Sequence, residues 1–283
     1  MAHNLTTTKK TLIMGILNIT PDSFSDGGLY TTPTQALKRV KQMIHEGADI
    51  IDIGGESTRP GSKPISISEE LQRVIPVIET IRENLDKSIS LSIDTNKAIV
   101  AEEALRAGVD MVNSLGGFLF DKKLIDVVAK LHCPIAIYHI QGKPKTMQEG
   151  EMTYDDVIKD IAIFFGEQIK NGMTKGIKRE QFILDPGIGF GKTVDQNIEI
   201  IKRLKEFQNL NLPILIGVSR KSHLGMILQE ELRLPNIPSP IERLEASLAE
   251  TAVAVLNGAS IVRTHDVTQT KKFLKILDKF KNF

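Results

Sequence analysis

The chain has one cysteine, Cys133, in 283 residues, which excludes an intrachain disulfide framework, and no Cys/His cluster has the spacing of a zinc site. It has almost no net charge, with 36 Lys and Arg against 35 Asp and Glu. Nothing long-range therefore draws it to a nucleic-acid duplex or an anionic membrane surface, and an anionic ligand must be met by local groups. It has no apolar run long enough to span a bilayer, and the opening "MAHNLTTTKK" lacks the apolar core of a secretory signal. A reducing cytoplasm is the compartment these lacks predict, in which the sequons at Asn4 and Asn18 are accidental. No break in composition marks a linker, so the predicted organisation is a short N-terminal tail, 1–10, and one domain, 11–283.

What is present fits a soluble α/β protein. Hydrophobic residues make up 41% and charged residues 25%, near the averages for globular chains, and the length suits one large barrel or two medium domains. A short apolar, β-branched run, a Gly/Pro loop and an amphipathic helical segment recur along the chain. The runs are "TLIMGILN" (Thr11–Asn18), "DIIDIG" (Asp49–Gly54), "SISLSID" (Ser88–Asp94), "MVNS" (Met111–Ser114), "PIAIYH" (Pro134–His139), "FILD" (Phe182–Asp185), "PILIGVS" (Pro213–Ser219) and "SIVRTH" (Ser260–His265). Their helical partners are predicted over residues 34–46, 68–84, 97–107, 122–130, 154–171, 196–206, 242–257 and 269–279. Eight such units in a chain of this length predict a (β/α)8 TIM barrel, which typically takes ~250 residues. A doubly wound open sheet is the alternative.

In a TIM barrel the chemistry sits where the strands end at their C-terminal side. Those positions are Asn18, Asp52, Asp94, Asn113, His139, Asp185, Ser219 to Lys221, Arg263 and His265. Taken singly, each has an ordinary reading. Asp94 and Asn113 suit caps or turns, Asp185 precedes Pro186 as in many turns, and His139 suits a satisfied core histidine. Arg220 and Lys221 suit a solvated surface, and Arg263 with His265 a strand-end ion pair. Their convergence on one rim favours a single ring-shaped site. Asp94, Asp185 and Asn113 suit a ligand rich in N–H donors, such as an aminopyrimidine edge. Lys221, Arg263 and His265, from the last two strands, suit a phosphate. Asn18 offers a neutral oxygen to a hard cation such as Mg2+ held mainly by phosphate oxygens.

"DPGIGFGKT" (Asp185–Thr193) imitates a phosphate-binding P-loop. That pattern needs a glycine five residues before Gly191, and the position is Pro186. The glycines still let backbone approach a ligand closely.

Six motifs, in order, carry a resemblance: "MGILNITPDSFSDGG" (Met14–Gly28), "GGESTRPG" (Gly54–Gly61), "SIDTNK" (Ser92–Lys97), "DPGIGFGK" (Asp185–Lys192), "SRKS" (Ser219–Ser222) and "VRTHDV" (Val262–Val267). From Thr11 nearly to the C-terminus the chain resembles the dihydropteroate synthase family of bacterial folate synthesis. The resemblance implies a TIM barrel that joins 7,8-dihydropterin-6-ylmethyl diphosphate to p-aminobenzoate and releases pyrophosphate. It implies pterin-pocket positions at Asp94, Asn113, Asp185 and Lys221, and a pyrophosphate pair at Arg263 and His265, with Arg263 also against the pterin face. Asn18 matches a Mg2+ ligand and Thr58 a second contact to the pterin diphosphate. Phe24, Pro60, Phe190 and Ser222 match positions around p-aminobenzoate. Asp94, Asp185, Lys221 and Arg263 are the expected catalytic set, and His139 receives no chemical role.

The chain departs from the family pattern at two positions: Ser114 stands where many members have Asp, and Ile140 where Met is frequent. Ile140 is expected to keep an apolar pterin wall. The rival functions are a corrinoid-linked methyltetrahydrofolate methyltransferase and an idle pterin-binding relative. "TPDSFSDGGLY" and "GGESTRPGSKP" read as segments that order over a ligand. "RLEASLAETAVAVLNGAS" (Arg243–Ser260) is apolar on nearly every face, which predicts a homodimer through that helix, as the resemblance also implies.

Overall fold

The computed structural model describes residues 10–20, 32–57, 62–142 and 153–281. Phe24, Thr58 and Pro60, with most of the two loops expected to order over a ligand, lie outside these residues.

Eight parallel strands follow one another around the sheet: β1 (Leu12–Asn18), β2 (Ile50–Gly54), β3 (Ser90–Asp94), β4 (Met111–Leu115), β5 (Ile135–Tyr138), β6 (Phe182–Asp185), β7 (Leu215–Ile216) and β8 (Ile261–Thr264). The order is β6-β5-β4-β3-β2-β1-β8-β7, so every strand neighbours its sequence successor except β6 and β7. An isolated Leu184–Ile214 bridge joins those two, reinforced by Leu184 N–H donating to Pro213 O at 2.9 Å. This closes the ring and rules out the doubly wound alternative, whose strand order must reverse at a switch point. The (β/α)8 barrel is therefore the fold.

Strands with no solvated face must be apolar on both sides, and β1 is buried along all but its last residue. Alternate residues divide between two cores. Ile13, Leu17, Ile51, Ile53, Leu91 and Ile93 point outward into the shell beneath the helices. Leu12, Met14, Ile50, Met111, Ala136, Ile183, Leu215 and Ile261 fill the barrel. Two residues further along the same inward parity come Asp52, Asn113, Tyr138, Asp185 and Arg263. The polar rim is thus the upper part of the stack whose lower part is the apolar plug.

Nine helices cover the barrel among the described residues: α1 (Pro33–Glu46), α2 (Ile67–Asn84), α3 (Ala98–Arg106), α4 (Leu124–Leu131), α5 (Val157–Thr174), α6 (Val194–Lys202), α7 (Ser222–Glu231), α8 (Leu244–Leu256) and α9 (Val267–Lys281). Two starts are set by capping boxes: the Thr32 and Thr193 hydroxyls each accept an N–H three residues on, and the Gln35 and Gln196 side-chain oxygens accept the Thr32 and Thr193 backbone N–H in return. Eight helices match the expected segments within a few residues. The ninth, α7, was not expected, because its sequence "SHLGMILQEE" contains Gly225 and its first residue follows Lys221, which makes no side-chain cap. β7 is also shorter than the predicted Pro213–Ser219, its last residues forming the turn that carries Lys221.

Candidate active site

Strand register lines up the first half of the rim. Asn18 pairs with Gly54, Gly54 with Asp94, and Asp94 with Asn113. Gly54 leaves a gap in this row, where a β-carbon would sit 3.6 Å from Asn18 Oδ1 and 3.8 Å from Asp94 Cβ. A space therefore opens between the asparagine oxygen and the first carboxylate.

From across the barrel the Arg263 side chain enters this row. Its Nε donates to Asp52 Oδ2 at 2.6 Å and its Nη2 to Asp94 Oδ2 at 2.9 Å. Asn113 Nδ2 donates to the same Asp52 oxygen at 3.0 Å, and Tyr138 OH donates to Asp94 Oδ1 at 2.9 Å. Asp94 is a buried carboxylate, and burial pushes its pKa up to about 7 against the pull of Arg263. Burial likewise raises the Tyr138 phenol, with Asp94 adding to it, so Tyr138 is a fixed donor at neutral pH. A cavity of about 30 Å3 opens beside Asp94, with Glu56, Glu70, Thr95, Leu115 and Tyr138 among its walls.

The second half of the rim is built on the turns after β6 and β7. Asp185 accepts Gly187 N–H at 2.7 Å, and burial raises its pKa while Lys221 opposes the rise. Lys221 Nζ donates to Ile188 O and lies 4.4 Å from the centroid of the Phe190 ring, a cation–π distance. Burial lowers the Lys221 pKa to about 8, with the Asp185 charge acting the other way. Phe190 in turn tilts against Tyr138 at 5.4 Å and packs on Leu115 and Ile140.

The backbone holding Lys221 is strained and clamped. Arg220, just before it, has φ 58°, a left-handed conformation that costs a non-glycine residue about 1 kcal/mol or more. Arg220 N–H donates to Ser247 Oγ at 2.9 Å, Arg243 Nη1 donates to Arg220 O at 3.0 Å, and the Arg220 guanidinium grips Asp266 at 2.5 and 3.0 Å. Ser247 on α8, Arg243 just before it and Asp266 just after β8 thus over-determine the turn. His265 Nδ1 lies 3.0 Å from Ser219 Oγ, so the ends of β7 and β8 are cross-linked at the rim.

The structure therefore brings Asp94 and Arg263 into direct contact, joins Asn113 to them through Asp52, and stacks Lys221 on Phe190. Asp185 stands at the foot of the Phe190 loop, and Asn18 at the edge of the space above Gly54. Ser222 opens α7 beside Lys221 and is exposed. His139 is buried, as expected of a core histidine, with Nδ1 3.0 Å from Lys192 Nζ and its ring edge-on to Phe164. Ser114 is buried and its hydroxyl donates to Gly117 O at 2.8 Å, so the turn after β4 closes on a neutral contact. Ile140 lies in the apolar wall with Tyr138.

Three contributors escaped sequence reasoning. Asp52 was visible only as one strand end among many, and its grip on Arg263 depends on barrel closure. Tyr138 lies one residue before the position singled out on β5, although the inward parity passes through it. Lys192 closes the "DPGIGFGK" motif and the failed P-loop, but neither reading gave it a role of its own.

Residues 14–265 match the family of pterin binding enzymes. The chain belongs to the pterin-binding enzyme family. It is 46% identical over 270 residues to the dihydropteroate synthase of Synechocystis sp., covering 95% of this chain and 90% of that protein. Among solved structures, Yersinia pestis dihydropteroate synthase in complex with a sulfonamide drug superimposes with a TM-score of 0.90 at 39% identity, covering 97% of this chain and 95% of that one. Burkholderia cenocepacia dihydropteroate synthase complexed with 7,8-dihydropteroate gives a TM-score of 0.84 at 38% identity, with 98% and 93% covered. The resemblance drawn from the six motifs therefore holds along the whole pterin-binding barrel.

Proposed function

We propose that this pterin-binding enzyme is a dihydropteroate synthase that condenses 7,8-dihydropterin-6-ylmethyl diphosphate with p-aminobenzoate, giving 7,8-dihydropteroate and pyrophosphate. The observation that carries the reading is the Asp52–Arg263–Asp94 chain. It supplies a carboxylate for the N–H edge of a pterin and a guanidinium at the same point, on a rim that also presents Lys221 after β7 and His265 after β8. The solved relatives holding dihydropteroate and a sulfonamide support the same assignment.

Each residue's role follows from what it can stabilise. Asp94, Asn113 and Asp185 accept or share hydrogen bonds with the pterin edge, and Lys221 donates to it, while Arg263 lies against the ring. Heterolysis of the C–O bond to the diphosphate leaves a methylene cation conjugated with the dihydropterin, and the two aspartates favour that positive charge. Arg263 and His265 stabilise the departing pyrophosphate. The amine of p-aminobenzoate, a weak nucleophile, needs chiefly positioning. Phe190 and Ser222 supply part of that wall, and the resemblance assigns Phe24 and Pro60, outside the described residues, to the same substrate.

The donor set fits a magnesium ion. No group of three His, Cys, Asp or Glu side chains among the described residues is placed to hold a metal, and Asn18 Oδ1 faces the gap above Gly54. A single neutral oxygen suits a hard cation whose other ligands are phosphate oxygens and water. Asn18 would hold it together with the substrate, and when bound it would supply Lewis-acid stabilisation of the pyrophosphate charge. Thr58 is assigned to the same diphosphate.

The protein is further proposed to work in the cytoplasm as a homodimer. The outward face of α8 carries Ala249, Val253 and Leu256, the last two exposed at 43% and 57%. No helix among the described residues is long and apolar enough to cross a membrane.

A paired assay tests the function. In one arm the chain receives dihydropterin diphosphate and p-aminobenzoate, in the other methyltetrahydrofolate and a reduced corrinoid. Turnover in the first arm alone supports the proposal, turnover in the second would replace it with the methyltransferase, and silence in both would leave a binding protein.

A further inference from the structure

The loop between β6 and α6 contains a lysine that the reaction does not use. Lys192 is 3% exposed, and its chain curls back beneath its own loop. Nζ donates to Gly187 O at 2.9 Å and to Phe190 O at 3.0 Å, and lies 3.0 Å from His139 Nδ1. Three partners saturate the nitrogen. Two are backbone carbonyls of the segment that carries Phe190, and the third belongs to the end of β5.

The loop needs such a centre because its backbone is otherwise improbable. Gly187, Gly189 and Gly191 have φ of 69°, 79° and 66°. A β-carbon at Gly187 would fall 1.8 Å from His139 O, and one at Gly191 2.4 Å from Gln141 O. The turn is thus pressed against the segment after β5 with no side chains of its own between them. An unpaired buried carbonyl here would be destabilising, and Lys192 supplies donors to two of them.

We infer that Lys192, oriented by His139, is a positioning residue for p-aminobenzoate. It fixes the Gly187–Phe190 backbone so that the Phe190 ring stands against Tyr138 and under Lys221. The inference rests on the reading of Phe190 as part of the second-substrate wall. The three partners of Lys192 Nζ lie in the Phe190 loop and at the end of β5 rather than on the Asp94–Arg263 chain, so the larger effect of its loss should fall on p-aminobenzoate.

The test is a set of three variants assayed for both substrates: Lys192→Met, His139→Leu and His139→Asn. Asparagine places an oxygen where histidine has Nδ1, whereas leucine removes the acceptor. Lys192→Met and His139→Leu should raise KM for p-aminobenzoate by about tenfold or more and leave KM for dihydropterin diphosphate within about twofold. His139→Asn should remain near the unsubstituted enzyme. If Lys192→Met does not fold, the histidine pair decides the matter alone. An unchanged p-aminobenzoate KM in folded Lys192→Met, equal behaviour of the leucine and asparagine variants, or a parallel rise in both KM values would each overturn the inference. An unsubstituted chain that forms no dihydropteroate would instead remove the functional reading, and this assignment with it.

Discussion

Arg263 Nε lies 2.6 Å from Asp52 Oδ2, across 211 positions of sequence. Asp52 has no solvent exposure, and its carboxylate also receives Asn113. The carboxylate thus aims the guanidinium upward at the rim and fixes the amide beside it. Removing one partner of a buried pair typically costs about 3–5 kcal/mol, because the other charge is left uncompensated. Asp52→Ala is expected to destabilise the fold by that order in a denaturant titration and to lower kcat/KM with it. A variant of unaltered midpoint would mean that Arg263 holds its place without Asp52.

The pH dependence follows from two buried groups. Asp94 titrates near 7 in the folded chain against 3.8 ordinarily, so between these values the native state binds more protons and its contribution to stability falls as pH rises. Lys221 titrates near 8 against 10.5. Here the unfolded state binds more protons, and stability rises over that window. The proposed roles require Asp94 charged and Lys221 protonated, so kcat/KM should fall below about pH 7 and above about pH 8. Asp94→Asn should lose the acid limb in a pH–rate profile. An acid limb kept in that variant would assign it to another group.

Asp185 and Lys221 reach the rim from different strands, and each opposes the shift that burial imposes on the other. Asp185→Asn or Lys221→Ala should lower kcat/KM by at least ~10-fold, about 1.4 kcal/mol of transition-state stabilisation. Steady-state kinetics on variants with unaltered circular dichroism checks this, and near-normal turnover would remove either residue from the site.

If "TPDSFSDGGLY" and "GGESTRPGSKP" order over a ligand, as their sequence predicts, binding of the two substrates is linked. A sulfonamide, as a mimic of p-aminobenzoate, should bind tightly only when pterin, Mg2+ and pyrophosphate are present, and each should raise the other's affinity by the same factor. Calorimetric titrations with and without those three, and again after a chelator, measure it. Equal affinities throughout would show a preformed second-substrate site and an idle metal.

Exposed Val253 and Leu256 on α8 predict association in solution. Light scattering at micromolar concentration should give about twice the 31.4 kDa chain mass. A value near one chain would leave that face unexplained.

Much of this architecture is legible in the amino-acid sequence. Asn18, Asp94, Asn113, Asp185, Arg263 and His265 each end an apolar run, and the barrel converts the end of a run into a place on the rim. Less legible were contacts that depend on closure. Tyr138 meets Asp94 across 44 positions because β4 lies between their strands and both side chains point inward. Lys192 was obscured for a local reason: its partners are backbone carbonyls, which carry no residue-specific signal. Helix α7 and the shortness of β7 share a cause, since the chain there is shaped by the clamp of Arg243, Ser247 and Asp266 on Arg220 rather than by propensity.

The most direct test of the account is the product balance of one reaction. The purified chain, dihydropterin diphosphate, p-aminobenzoate and Mg2+ are mixed, and pyrophosphate and dihydropteroate are quantified together. With p-aminobenzoate present, equal amounts of the two products are expected, growing in step, and no dihydropteroate without it. Pyrophosphate unaccompanied by dihydropteroate when p-aminobenzoate is present, or neither product from a folded chain, would contradict this reading.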